Sequence, residues 1–330
     1  MSPEQREREL RGLIAPIAEE LDACSVDLTR ELDSASEAVR EVVAHANRYR
    51  GKRLRAANVL LVASACGRVT PAHVKIAAIV EMIHMATLVH DDVLDGAEVR
   101  RRVATPNARF GNEVAVLLGD WIYARAFSIS TKLESQTCSR VLAETTATIC
   151  RGEIEQSLAK YDFGLTVERY LEMIDAKTAA LYAASCELGA RYADAREECV
   201  RAARVFGRSL GLAFQIVDDC LDLDGSESEV GKSLGTDVVE GKITLPILHL
   251  LARGGPRERR RVEEIFRAEG SFDRVGALAA ELDLIGAIEA SYADAERYLR
   301  AALDALGPFP PSPARDCMAA MAEYVLCRRW

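Results

Sequence analysis

The chain has 330 residues, 49% hydrophobic and 28% charged, with a formal net charge of −9. That balance suits a folded globular protein and excludes a disordered or collagen-like chain; the acidic excess argues against a nucleic-acid partner, which leaves a basic footprint. Nine widely spaced cysteines with no Cys-x-x-Cys argue against a disulfide framework or a zinc site and fit a reducing cytoplasm.

In chain order the elements read as helices. The N-terminus is charged and has no apolar signal core. Leu10, Leu13, Ile14, Ile17 and Leu21 recur at helical spacing, and Pro16 marks a kink or a late start. An Ala-rich helix spans Leu54 to Cys66 and is closed by Gly67. The next starts near Pro71, is apolar on most sides through Val89, and runs into Asp91; such a helix lies centrally. Pro106 marks another start, and no proline follows until Pro246, which suits long uninterrupted helices. Polar, Gly-flanked residues 224–231 read as a loop, and residues 308–313 separate a last helix ending near Cys327. Strand-like alternation is missing. No run of 18 apolar residues occurs, so no membrane-crossing helix is expected and any membrane contact is peripheral. One all-α domain over residues 1–330 is the simplest organisation.

Two acidic clusters dominate the chemistry. Asp91-Asp92-Val93-Leu94-Asp95 and Asp218-Asp219-Cys220-Leu221-Asp222 share one spacing and stand 127 residues apart. On a helix their first and last carboxylates share a face and the middle one lies beside them. Like charges 4 Å apart cost roughly 4 kcal/mol at an effective dielectric of 20. Oxygen-only ligands favour hard cations, and Mg²⁺ commonly binds one or two carboxylates plus substrate phosphates. Alone, either cluster reads as a solvated acidic face; the pair is far more specific. An EF-hand around Gly225 fails because its first and twelfth positions would be Cys220 and Gly231.

Cations accompany the acids. Gly51-Lys52-Arg53-Leu54-Arg55 precedes an apolar helix, Arg100-Arg101-Arg102 follows the first cluster, and Gly231-Lys232-Ser233 and Gly241-Lys242-Ile243-Thr244 follow the second. Arg offers phosphate a bidentate fork and Lys a mobile point charge. Gly231-Lys232-Ser233 lacks the upstream glycine and strand of a P-loop.

With these motifs, and with residues 83–95, Phe110-Gly111-Asn112, Leu118-Gly119-Asp120, Lys177-Thr178 and Phe214 to Asp219, the chain resembles the trans-isoprenyl diphosphate synthases, or polyprenyl synthetases, from about Gly51 to Pro246. The resemblance implies long helices around a deep central cavity (the isoprenoid synthase fold), a homodimer, and Mg²⁺ bridging carboxylates to an allylic diphosphate, with three ions per site and Mn²⁺ as a substitute. It implies Asp91, Asp92, Asp95, Asp218, Asp219 and Asp222 as metal ligands. Lys52, Arg55, His84 and Arg101 match the residues that hold isopentenyl diphosphate. Arg100, Lys177, Lys232 and Lys242 match contacts to the allylic diphosphate, and Thr178 and Gln215 match polar groups near the reacting carbons. The implied catalytic set is Lys177, Thr178, Gln215, Asp91 and Asp218. Without the resemblance, His84 reads as a core histidine and Thr178 and Gln215 as ordinary helix polarity.

The implied reaction ionises the allylic diphosphate, adds isopentenyl diphosphate to the cation and passes a proton to the departing pyrophosphate. Ala86 and Thr87, five and four residues before Asp91, stand where short-chain relatives place an aromatic ring. Small side chains there predict a long-chain product, heptaprenyl to decaprenyl, from a farnesyl or geranylgeranyl primer. Ala56 stands where the family often has proline and Arg102 where it usually has glycine; neither removes a ligand. The rivals are a short-chain synthase, a class I terpene cyclase, a non-catalytic partner subunit and a structural helical protein. The intact second cluster and the Lys52, Arg55 and His84 set favour elongation.

Overall fold

The computed structural model describes residues 11–33, 36–49, 51–100, 103–224, 235–268, 270 and 272–327. Its early helices are α1 (Ala18–Glu31), α2 (Glu37–Ala46), α3 (Leu54–Cys66) and α4 (Pro71–Leu94). Pro16 sits in a 3₁₀ turn, Ala15–Ile17, between helical residues 11–14 and α1, so of its two readings the kink holds and the late start does not. Next come α5 (Pro106–Phe110), α6 (Asn112–Ser130), α7 (Thr137–Leu158) and α8 (Val167–Ile174). A π-helical turn, Asp175–Ala179, joins α8 to α9 (Ala180–Arg191), and α10 (Glu197–Asp224) follows. Then come α11 (Thr236–Val239), α12 (Leu245–Arg253), α13 (Pro256–Arg267), α14 (Arg274–Glu281), α15 (Leu284–Asp304) and α16 (Pro313–Cys327).

The all-α expectation holds with one addition. A two-stranded antiparallel hairpin pairs β1 (Val99–Arg100) with β2 (Val103–Ala104), Val99 opposite Ala104. With two residues per strand it is too short to leave an alternation signal. Residues 225–234, most of the expected loop, and Arg101 and Arg102 lie outside the described residues, so the readings of Arg101 and Lys232 are not placed.

The central position of α4 follows from its sequence. Pro71 is preset for the first helical turn, and the Thr70 N–H donates to His73 Nδ1 at 3.0 Å. Ile76, Ile79, Val80, Ile83, Ala86 and Val89 are buried; each large one contributes about 1.5–3 kcal/mol through burial. Despite lacking 18 consecutive apolar residues, α4 is long and apolar enough by length and mean hydropathy to cross a membrane, and 61% of its most apolar window is buried inside the fold. It packs on α1, α3 and α6, while α10 packs on α9, α15 and the π turn. Glycine sets one of these distances: a Cβ on Gly211 would lie 2.6 Å from the Ala179 Cα. The two helices that end in acids, α4 and α10, are thus held inside one connected apolar core.

Candidate active site

Both clusters occupy the C-terminal turns of their helices, where the helix dipole is negative. The dipole adds to the repulsion among the carboxylates, so cations must gather there. In the first cluster, Arg100 Nε on β1 donates to Asp92 Oδ1 at 2.7 Å. Asp92 is fully buried, and its Oδ2 has no hydrogen-bond partner among the described residues. Lys242 Nζ lies 3.1 Å from Asp95 Oδ1. Lys177, on the π turn, is held 2.7 Å from Glu153 Oε2 and 2.9 Å from Gln156 Oε1 on α7. This approach needs Gly152, because a Cβ there would meet the Ala176 Cβ and the Lys177 backbone nitrogen, both at 2.8 Å.

In the second cluster, the donors to Asp219 and Asp222 among the described residues include neutral side chains and a backbone N–H. Gln215 Nε2 donates to Asp219 Oδ1 at 2.8 Å and Tyr170 Oη to Asp219 Oδ2 at 2.6 Å. Thr178 Oγ1 donates to Gln215 Oε1 at 2.7 Å. Asp222 accepts from Thr236 Oγ1 at 2.9 Å and from the Asp237 N–H at 3.0 Å. Lys242 joins the halves. Besides Asp95, its ammonium lies 2.6 Å from Glu240 Oε2 and 3.7 Å from Asp237 Oδ1. The aspartate that caps Asp222 therefore shares a cation with the first cluster.

The protonation equilibria reflect crowding. Burial, reinforced by Glu153 and Asp95 and opposed by Lys177 and Arg100, raises the Asp91 carboxyl to about 6. Burial, then the nearby Asp237 and Asp218, raises Asp219 to about 7 against the donations from Tyr170 and Gln215. Asp92 is also raised, mainly by burial. For Asp95 burial is outweighed, chiefly by Lys242, and its pKa falls. Burial opposes the charge on Lys177 and Lys242 too, but Asp91 and Glu153 hold the first protonated, and Asp237 and Asp95 the second.

Near the start of α3, Gly51, Arg53 and His84 line one small cavity with Glu81, Met85 and Leu88. Lys52 donates to Tyr324 Oη on α16 at 3.0 Å. The Arg55 guanidinium lies over the Tyr182 ring, 4.4 Å from its centroid, and its Nε is buried without a hydrogen-bond partner among the described residues. An N–H so placed suits an anion. Ala56 puts its departure from the family pattern to use: its N–H, which a proline would lack, donates to Glu81 Oε1 at 3.0 Å. On α4, Ala86 is fully buried, whereas Thr87 is half-buried and donates its hydroxyl to the His84 carbonyl at 2.8 Å.

Tyr170, Glu153, Gln156, Asp237 and Glu240 escaped sequence reasoning. Glu153 and Gln156, one helical turn apart behind Gly152, left a faint signal; Tyr170 left none, being an aromatic on an amphipathic helix. No three acid, His or Cys side chains among the described residues form a ready-made chelate. Arg100 and Lys242 instead hold two carboxylates of the first cluster. The donor set nevertheless fits a hard divalent cation. It is all oxygen, the Asp92 Oδ2 is unpartnered, and burial disfavours the charge that Asp91 and Asp219 carry.

Similarity to known proteins identifies the family. A model of the family "Polyprenyl synthetase" matches residues 36–282. Heptaprenyl diphosphate synthase component 2 of Geobacillus stearothermophilus is 38% identical over 96% of this chain and 98% of that protein. Octaprenyl diphosphate synthase of Escherichia coli is 36% identical over 84% of this chain and 86% of that protein. The crystal structure of a polyprenyl synthase from Caulobacter crescentus, complexed with calcium and isoprenyl diphosphate, superposes with a TM-score of 0.92 at 34% identity, covering 97% of this chain and 98% of that one. The chain belongs to the polyprenyl synthetase family.

Proposed function

We propose that this chain is a long-chain trans-polyprenyl diphosphate synthase. It extends an allylic diphosphate, farnesyl or geranylgeranyl, by successive head-to-tail condensation with isopentenyl diphosphate and releases pyrophosphate at each step. The observation that carries this reading is the Lys242 ammonium shared between Asp95 and Asp237, because the Asp237 N–H also donates to Asp222 and so links the two acid clusters. Homologues named as heptaprenyl and octaprenyl diphosphate synthases support the long-chain product over a short-chain one.

Asp91, Asp92, Asp95, Asp218, Asp219 and Asp222 would hold Mg²⁺, three ions per site, which neutralises the diphosphate as its C–O bond breaks. Arg100, Lys177, Lys232 and Lys242 bind the same diphosphate, and Arg100, Lys177 and Lys242 leave their carboxylate partners when it arrives. Lys52, Arg55, His84 and Arg101 hold the diphosphate of isopentenyl diphosphate so that its double bond faces the allylic carbon. Thr178 and Gln215 lie at the polar rim of an apolar cavity that excludes water from the cation. Small side chains at Ala86 and Thr87 leave room for the growing chain. The departing pyrophosphate takes the proton, and no side-chain base is required.

The whole chain acts as one catalytic unit in the cytoplasm, where the eight cysteines whose side chains are described stay as free thiols. It acts as a homodimer. Exposed Val114, Val116 and Leu117 on α6 and Ile154 and Leu158 on the adjacent α7 supply an apolar face that a second copy covers. The test is incubation of purified protein with Mg²⁺, farnesyl diphosphate and labelled isopentenyl diphosphate. The expected product is a labelled allylic diphosphate of heptaprenyl to decaprenyl length. No incorporation contradicts the reading, and a cyclic hydrocarbon assigns a cyclase instead.

A further inference from the structure

We propose that Tyr170 is a positioning residue that holds the Asp219 carboxylate correctly turned for the divalent cation. The inference rests on the function proposed above.

Tyr170 is 2% exposed, and a buried phenol ordinarily satisfies itself on any backbone carbonyl. Here it donates to a carboxylate of the second cluster at 2.6 Å, within the range of short charge-assisted O–H···O⁻ bonds. Its place is fixed locally: Thr166 caps α8 through the Arg169 N–H at 3.2 Å, and the Tyr170 N–H donates to the Thr166 carbonyl at 3.0 Å.

The rest of the network gives the bond its purpose. Asp219 Oδ1 is taken by Gln215 and Oδ2 by Tyr170. Gln215 has its amide orientation set by Thr178, which donates to its carbonyl oxygen. The carboxylate plane is therefore pinned from α8, from α10 and from the π turn. Two donors, Gln215 and Tyr170, thus hold the one buried carboxylate. Both are neutral, so they orient Asp219 without offering a positive charge that competes with the metal. In the first cluster Arg100 and Lys242 hold carboxylates through charge, and a cation must displace or share those contacts. Groups that orient a metal ligand from behind typically matter 10–100-fold in metal affinity or activity.

The test replaces Tyr170 by Phe, which removes the donor and little else. Mn²⁺ binding in the presence of inorganic pyrophosphate is measured by electron paramagnetic resonance, beside the Mg²⁺ half-saturation for elongation. The expected result is weakening of Mn²⁺ binding by about 10–100-fold, a matching rise in the Mg²⁺ requirement, and kcat largely restored at high Mg²⁺. Should Tyr170→Phe not fold, 4-methylphenylalanine at 170, which fills the hydroxyl's volume without donating, takes its place. 4-Aminophenylalanine, which keeps a donor, should return the affinity to within a few-fold of wild type. Unchanged Mn²⁺ affinity and Mg²⁺ requirement in a donorless variant, beside an elongating wild type, overturn the role of Tyr170 alone. A wild type that does not elongate overturns the function on which that role rests.

Discussion

His73 shows how a single buried side chain ties function-bearing helices together. It is fully buried, accepts the Thr70 N–H at Nδ1 and reaches the Gly189 carbonyl from Nε2 at 3.1 Å, linking the start of α4 to α9. Burial lowers its pKa below the ordinary 6.5, against the backbone contact to Gly189 and the charge of Asp194. The unfolded chain therefore binds a proton more readily, so stability is full above the unfolded pKa and is lost as pH falls below it. Thermal denaturation should show the difference in Tm between wild type and His73→Gln shifting in the variant's favour as pH falls from 7 to 5, since the variant lacks this proton-linked loss. Parallel slopes in the two proteins would refute this. Residue-level chemistry was only partly legible in sequence. The aspartates, Arg100 and Lys242 could be named because charge at close spacing needs a counter-charge; Lys177 came only with the family resemblance. Tyr170 and Gln156 could not, because neutral donors carry no such demand and look like ordinary helix residues.

Elements were more legible than residues. The Leu54–Cys66 and Pro71–Leu94 helices follow from their apolar patterns and from Gly67 and Pro71. The β hairpin and the π turn at Asp175–Ala179 escaped. The first is too short for periodicity, and the second differs from an α-helix only in the partners of its backbone hydrogen bonds. That turn has a consequence at the site: π insertions recur at functional positions, and this one sends Lys177 toward α7 and Thr178 toward α10. On α4 the prediction concerns product length. Ala86→Phe should shorten the polyprenyl chain, read by reversed-phase chromatography of dephosphorylated products. If a tunnel adjoins Ala86, the ring enters it at little cost; if the site is solid core, overpacking destabilises by about 1–3 kcal/mol. Unchanged chain length, or a large loss of Tm with unchanged length, contradicts the tunnel reading.

At the scale of the molecule, the fold brings Asp95 of the first cluster and Asp237, whose N–H donates to Asp222 of the second, to a shared cation. Spacing alone suggested two halves of one clamp. What the sequence could not show is that the first half is held by Arg100 and Lys242 while Asp219 in the second is held by neutral donors, since those partners arrive from β1, α8 and the segment before α12. The claim that the halves work as one is tested most directly by a double-mutant cycle on initial rates of isopentenyl incorporation. Asp92→Asn and Asp219→Asn should each lower the rate by about 10²–10³-fold, the scale on which removing a group that stabilises transition-state charge acts. The double variant should lose little more than either single one, because groups acting as a unit are not additive. Fold losses that multiply in the double variant, or a wild-type rate in either single variant, would contradict a single site.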